Sequence, residues 1–139
     1  MAGALQPGHI APRAQRVRRW FLDQALELLR RFDILLAPAT PFAATPIGQT
    51  NTVMGAHSVS VRANLGLYTQ SISFIGLPVL TVPIVRPGRM PVGVQLIAAP
   101  WREDLLFAIA AWLEAQGVVG AALPSTLAFK PAREPQPHV

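Results

Sequence analysis

The sequence predicts an α/β fold on three observations: a helical apolar period over Arg13 to Phe32, two apolar runs joined by a Pro-Gly turn between Val79 and Ala98, and a second helical period beginning near Trp101. Both strand-like runs are bounded by proline, and a proline cannot donate to a sheet ladder, so Pro78 and Pro83 belong at the ends of a strand or at a bulge.

Residues 1 to 12 hold Pro7, Gly8 and Pro12 without a sustained period and read as a lead-in. From Arg13 the positions Val17, Trp20, Phe21, Ala25, Leu28, Leu29 and Phe32 recur at three- and four-residue steps, the stripe of an amphipathic helix. Its polar face pairs Arg19 with Asp23 and Glu27 with Arg31 four residues apart, each pair contributing about 0.2–0.5 kcal/mol. Arg30 and Arg31 fall in the expected last turn, where positive charge meets the negative end of the helix dipole.

Ile34 to Ala37 is a short apolar run cut off by Pro38 and Pro41, and predicts a buried strand of four residues. Residues 42 to 60, rich in Ala, Thr, Ser and Gly, predict a long surface excursion. Arg62 to Tyr68 predicts a short helix or turn and Ser71 to Phe74 an extended segment, ending at Gly76-Leu77-Pro78. Val79 to Pro83 and Val92 to Ala98 are then two strands around the Pro87-Gly88 turn.

The last helix is expected to open near Trp101 or Arg102, with Glu103 and Asp104 in its first turn and Leu105, Leu106, Ile109, Trp112 and Leu113 on its buried side. Gln116-Gly117 closes it, glycine being suited to the position after the last turn. After Pro124 the prolines at 131, 135 and 137 mark a tail.

Composition narrows the function classes. The chain of 139 residues is 51% hydrophobic and 14% charged, against about 25% charge in an ordinary soluble domain. Either it is an unusually apolar complete domain, or its faces are meant to pack on further strands and helices. No apolar run is long enough to span a bilayer and no signal peptide is recognisable, so a cytoplasmic protein without a membrane partner is expected.

The absence of cysteine excludes disulfides, thiolate catalysis and cysteine zinc sites, and leaves the redox compartment undetermined. Twelve basic residues against seven acidic ones give a net charge of +5. Nucleic acid is not the expected partner, because Arg13, Arg16, Arg18 and Arg19 have no interleaved stacking aromatics and Asp23 and Glu27 interrupt their stripe.

Metal-binding spacings and phosphate-cradling glycine loops are missing, so no metal and no cofactor is expected. His9, His57 and His138 with Asp33 and Asp104 show no spacing that signals a triad. Ser58, Ser60, Ser71, Ser73 and Ser125 lie in no nucleophile elbow.

The run Gly76-Leu77-Pro78-Val79-Leu80-Thr81-Val82-Pro83-Ile84, followed by Pro91-Val92-Gly93-Val94-Gln95-Leu96-Ile97, resembles the C-terminal signature of the amidase signature family of hydrolases. The likeness extends over about residues 14 to 120, through Phe32-Asp33-Ile34-Leu35-Leu36-Ala37-Pro38-Ala39-Thr40-Pro41 and Trp101-Arg102-Glu103-Asp104-Leu105-Leu106. The segment Val61 to Gln70 looks closest to the carboxybiuret hydrolases of that family.

The resemblance implies a partial amidase-signature fold, a mixed β-sheet flanked by helices of which this chain holds the C-terminal part only. Residues 1–12 are then a lead-in, 13–123 the C-terminal portion of an amidase domain and 124–139 a proline-rich tail. It further implies catalysis by a lysine and two serines that belong to the N-terminal part of the fold. Serine needs an adjacent base, here a lysine held neutral by burial. The chain's single lysine, Lys130, sits in the tail beside Pro131, a poor place for that burial.

What the resemblance leaves to this chain is substrate positioning, with Arg62, Tyr68, Thr69, Gln70 and Ser73 as the candidate substrate-binding residues. Arg62 can hold a carboxylate with its planar donor fork; the competing account is a surface arginine near a helix start. The other four can bond an amide or ureido group, or only their own turns. Glutamine-using relatives carry an acidic residue where this chain has Gly66, which favours a small neutral or anionic amide as substrate.

The expected partners are accordingly a small amide or ureido substrate in the complete enzyme and the N-terminal amidase portion, with a homo-oligomer or a role as a small accessory subunit left open. The rival function is a non-catalytic interaction module that docks through an apolar face.

Overall fold

The computed structural model describes residues 8–121, so the proline-rich tail and Lys130 lie outside the described residues. The order of elements is α1 (Ile10–Leu29), β1 (Ile34–Pro38), β2 (Asn51–Met54), β3 (His57–Ser60), α2 (Val61–Asn64), α3 (Gln70–Ile75), β4 (Val79–Ile84), β5 (Val92–Ala98) and α4 (Glu103–Ala115). A three-stranded antiparallel sheet runs β1-β5-β4, and β2 with β3 makes a separate antiparallel pair.

Strand β5 holds the centre because it is apolar on both faces. Leu96 and Ala98 turn to one side, where they pack with Val82, Leu106 of α4 and Val119. Ile97 turns to the other, against Ala25 of α1, Ile75 of α3 and Leu77. The described part is therefore three layers: α1 with α3, the sheet, and α4.

Register is set by the Pro87-Gly88 turn, in which the Arg89 amide donates to the Arg86 carbonyl at 3.1 Å, and by six β4–β5 pairs from Val79↔Ile97 to Ile84↔Val92. Pro83 is tolerated inside β4 because, among the described residues, that strand is an edge, bordered beyond Pro83 only by the short Val118–Gly120 segment. Opposite it stands Gly93, where a Cβ would meet Thr81 Cγ2 at 2.9 Å and Ala39 Cβ at 3.0 Å.

Several expectations are corrected. Helix α1 begins at Ile10, with Pro12 inside the first turn, where a missing N–H costs nothing. It buries a neighbouring sector of its surface: Ala25 is buried and Phe21, Leu22, Leu26 and Leu29 pack beside it, while Val17, Trp20, Leu28 and Phe32 stay exposed. Arg19 pairs with Asp23 at 3.0 Å as expected, but Glu27 pairs with Arg30 at 3.0 Å. Because the helix ends at Leu29, Arg31 leaves its axis and lies over the Phe32 ring instead.

Within residues 42 to 60 the excursion contains the β2–β3 hairpin, closed by the two residues Gly55-Ala56 and paired from Asn51↔Ser60 to Met54↔His57. Thr52, Val53 and Val59 supply the β-branched residues for it. Ser71 to Phe74 is not extended but lies in α3, which Gly76 ends in the left-handed conformation at φ +76°, its N–H donating to the Ile72 carbonyl. In α4, Leu106 is buried and Leu105, Ile109 and Leu113 are half-buried, but Trp112 stays 60% exposed because the sheet covers a narrower sector than the apolar stripe.

Candidate functional site

The candidate residues fall on the connection from β3 to β4. Ser60 starts α2 by accepting a bond from the Ala63 amide through its Oγ at 3.4 Å, and its carbonyl accepts from Asn64 Nδ2 at 2.9 Å. Arg62 sits on this short helix, exposed and without an ion pair among the described residues. It is a cation on open surface.

Residues 65–69 form a turn that runs into α3. Its hub is the Gly66 carbonyl, which accepts from the Thr69 amide at 3.1 Å, the Gln70 amide at 3.0 Å and Thr69 Oγ1 at 3.3 Å. Thr69 is thus half-buried with its hydroxyl turned onto its own turn, and Gln70 lies so close over Gly66 that a Cβ there would meet its Nε2 at 3.0 Å. Ser73 follows one helical turn later, its amide donating to the Thr69 carbonyl at 2.9 Å. Tyr68, Thr69, Gln70 and Ser73 therefore follow one another on the turn and the start of α3, all but Thr69 exposed, and Arg62 lies on the preceding short helix.

One residue important to this surface carries no hint in its local sequence beyond being polar in an apolar strand. Gln95 of β5 is 2% exposed, and its Nε2 donates to the Pro38 carbonyl at 2.8 Å and to the Tyr68 carbonyl at 3.1 Å. Burial of an amide is costly without such bonds, and here both hydrogens of the amide nitrogen are used.

The candidate surface is open. A groove of about 700 Å³ lies elsewhere, between the β4–β5 turn and the end of α4, lined by Pro83, Arg86, Pro87, Arg89 and Glu114 among others. None of the five candidate residues lines it. Arginine and carboxamide groups on an unroofed wall can bind and orient an anionic or amide group, but cannot exclude water from it. Among the described residues no helix is long and apolar enough to cross a membrane.

Comparison with known proteins agrees with this architecture. The amidase family profile matches residues 2–107. The chain is 43% identical over 121 residues to the AtzE component of the 1-carboxybiuret hydrolase of Pseudomonas sp. (strain ADP), covering 85% of this chain and 26% of that protein. It is 40% identical over 105 residues to a glutamyl-tRNA(Gln) amidotransferase component from Thermus thermophilus, covering 74% of this chain and 21% of that one.

A solved structure from a study of a vestigial protein complex and the origins of an s-triazine catabolic enzyme superposes with a TM-score of 0.77 at 42% identity, over 85% of this chain and 26% of the other. The chain spans about a quarter of the length of these relatives. The matched sequence, the antiparallel β1-β5-β4 sheet and its covering helices together show that the chain belongs to the amidase family and holds a part of that family's fold.

Proposed function

We propose that residues 13–123 are the C-terminal portion of an amidase-type hydrolase that cleaves C–N bonds in small linear amides or ureido compounds, and that this portion supplies scaffold and one wall of the substrate pocket. The observation that carries this reading is the 43% identity to a carboxybiuret hydrolase component over 85% of the chain but only 26% of that relative. Arg62 is the carboxylate-binding candidate in this wall, and Tyr68, Thr69, Gln70 and Ser73 are the groups that bond the amide or ureido function. Gly66, which places no charge beside Thr69, favours a neutral or anionic amide.

In this reading the serines and the lysine that perform the chemistry are contributed by the N-terminal portion of the fold, so the 139-residue chain is inactive by itself. The open candidate surface supports it: a pocket with one wall neither desolvates a nucleophile nor lowers the pKa of a base. The complete assembly is a soluble cytoplasmic enzyme that uses neither nucleic acid nor metal.

Co-production with the N-terminal three quarters of the Pseudomonas relative tests the proposal, with ammonia release from biuret and 1-carboxybiuret as the assay. Hydrolysis is expected only with both pieces present, with Arg62→Ala raising KM more than it lowers kcat. Hydrolysis by the 139-residue chain alone, abolished by a change within it, sinks the proposal.

A second reading, a docking module without catalytic use, draws on the exposed Trp20, Phe107 and Trp112, which are 63%, 64% and 60% exposed. In that case the same co-production yields a stable complex in size-exclusion chromatography and no hydrolysis.

A further inference from the structure

We infer that Gln95 is a positioning residue for the substrate wall: its carboxamide ties the turn carrying Tyr68, Thr69 and Gln70 to the end of β1 and so sets where that wall stands on the sheet. The inference rests on the pocket-wall reading for what the turn does, but the tie itself is a matter of geometry.

Gln95 is the buried polar residue of the described core, and it sits on the central strand between Ala37 of β1 and Thr81 of β4. The two carbonyls it serves lie 57 and 27 residues away in the chain. Every other hydrogen bond of the 65–69 turn among the described residues spans four residues or fewer, from Leu65 to Val61 through Ser73 to Thr69. Those local bonds shape the turn but do not locate it. Gln95 does.

The residue type fits this task better than a packing task. A purely apolar side chain would fill the same position without the cost of burying an amide. Asparagine is one methylene shorter, and a glutamate carboxylate would turn two acceptors toward two carbonyl oxygens. Only a long side chain with two hydrogens on one nitrogen serves both carbonyls at 2.8 and 3.1 Å. At 2% exposure Gln95 does not touch the substrate and acts through the turn.

The test uses the full chain, isotope-labelled, with Gln95→Met and Gln95→Glu variants, amide hydrogen exchange and a biuret titration followed by amide shifts. In Gln95→Met, which keeps length and volume but has no donor, protection of the Tyr68 to Ser73 amides is expected to fall about tenfold or more while that of Leu106 to Leu113 in α4 is unchanged. Unchanged protection at Tyr68 to Ser73, or an equal fall in α4, overturns the inference.

In Gln95→Glu, the amide shifts of Tyr68 to Gln70 are expected to move toward the wild-type positions as pH falls from about 8 to about 5, because burial raises the carboxyl pKa and protonation restores one donor. A pH-independent pattern overturns it, and this variant decides the matter should Gln95→Met not fold. Biuret is expected to shift Tyr68 to Gln70 in the wild type and about tenfold more weakly in Gln95→Met. No shift in the wild type refutes the pocket wall alone; an equal shift in both proteins refutes the positioning role.

Discussion

Gly93 offers the sharpest stability test, because its need for glycine comes from the close approach of β4 and of Ala39, the residue that follows β1. An alanine Cβ at this position lies 2.9 Å from Thr81 Cγ2 and 3.0 Å from Ala39 Cβ, whereas carbon atoms prefer about 3.5–4.0 Å. Thr81 is exposed and can rotate, but its β-branch limits where Cγ2 goes. Ala39 is 7% exposed and its amide donates to the Gly93 carbonyl at 2.9 Å, so its methyl cannot retreat without lengthening that bond.

Overpacking of this kind costs about 1–3 kcal/mol, and the lower entropy of an unfolded chain with alanine returns about 0.4–1 kcal/mol. The net expectation for Gly93→Ala is a loss of about 1–2 kcal/mol. With a urea m-value of about 2 kcal/mol/M, the midpoint followed by far-UV circular dichroism falls by about 0.5–1 M. Ala39→Gly added to Gly93→Ala is expected to show a favourable coupling of at least about 0.5 kcal/mol in a double-mutant cycle. A Gly93→Ala chain with an unchanged or higher midpoint refutes the steric argument.

Two further outcomes can be read from the same urea titrations. Leu96→Ala, at a site 0% exposed in the cluster with Val82, Leu106 and Val119, is expected to cost about 2–5 kcal/mol, while Leu36→Ala, its cross-strand partner at 69% exposure, changes stability by less than about 0.5 kcal/mol. Gly76 and Trp101 make a pair of opposite sign, since both hold positive φ, +76° and +67°. Gly76→Ala is expected to destabilise by about 1–2 kcal/mol, and Trp101→Gly, at a side chain 90% exposed, to leave stability equal or raise it by up to about 1 kcal/mol.

The elements that can be read from the sequence are those whose cause is local. The period over Val17 to Leu29, the proline-bounded run at Val79, the Pro87-Gly88 turn and the acidic start of α4 each act within a few residues, and each yields its element. The β2–β3 hairpin is legible too, in Thr52-Val53 and Val59 spaced around the two residues Gly55-Ala56, but the small polar residues around it mask the alternation. For α3 the stronger signal is Gly76 as a helix stop, which outweighs the strand preference of Ile72.

At the candidate surface, residue order alone carries the chemical types at Arg62 and Tyr68 to Ser73 and, through the paired strands, the family to which the chain belongs. Which apolar sector of each helix is covered follows from packing: Leu22 and Leu26 lie where α3 and the sheet meet α1, and Val17, Trp20 and Trp112 are left facing out. The role of Gln95 likewise exists only in the folded chain, since its two acceptors come from distant segments. A period records which residues are apolar along one helix or strand, but burial and polar pairing depend on what arrives from elsewhere in the chain.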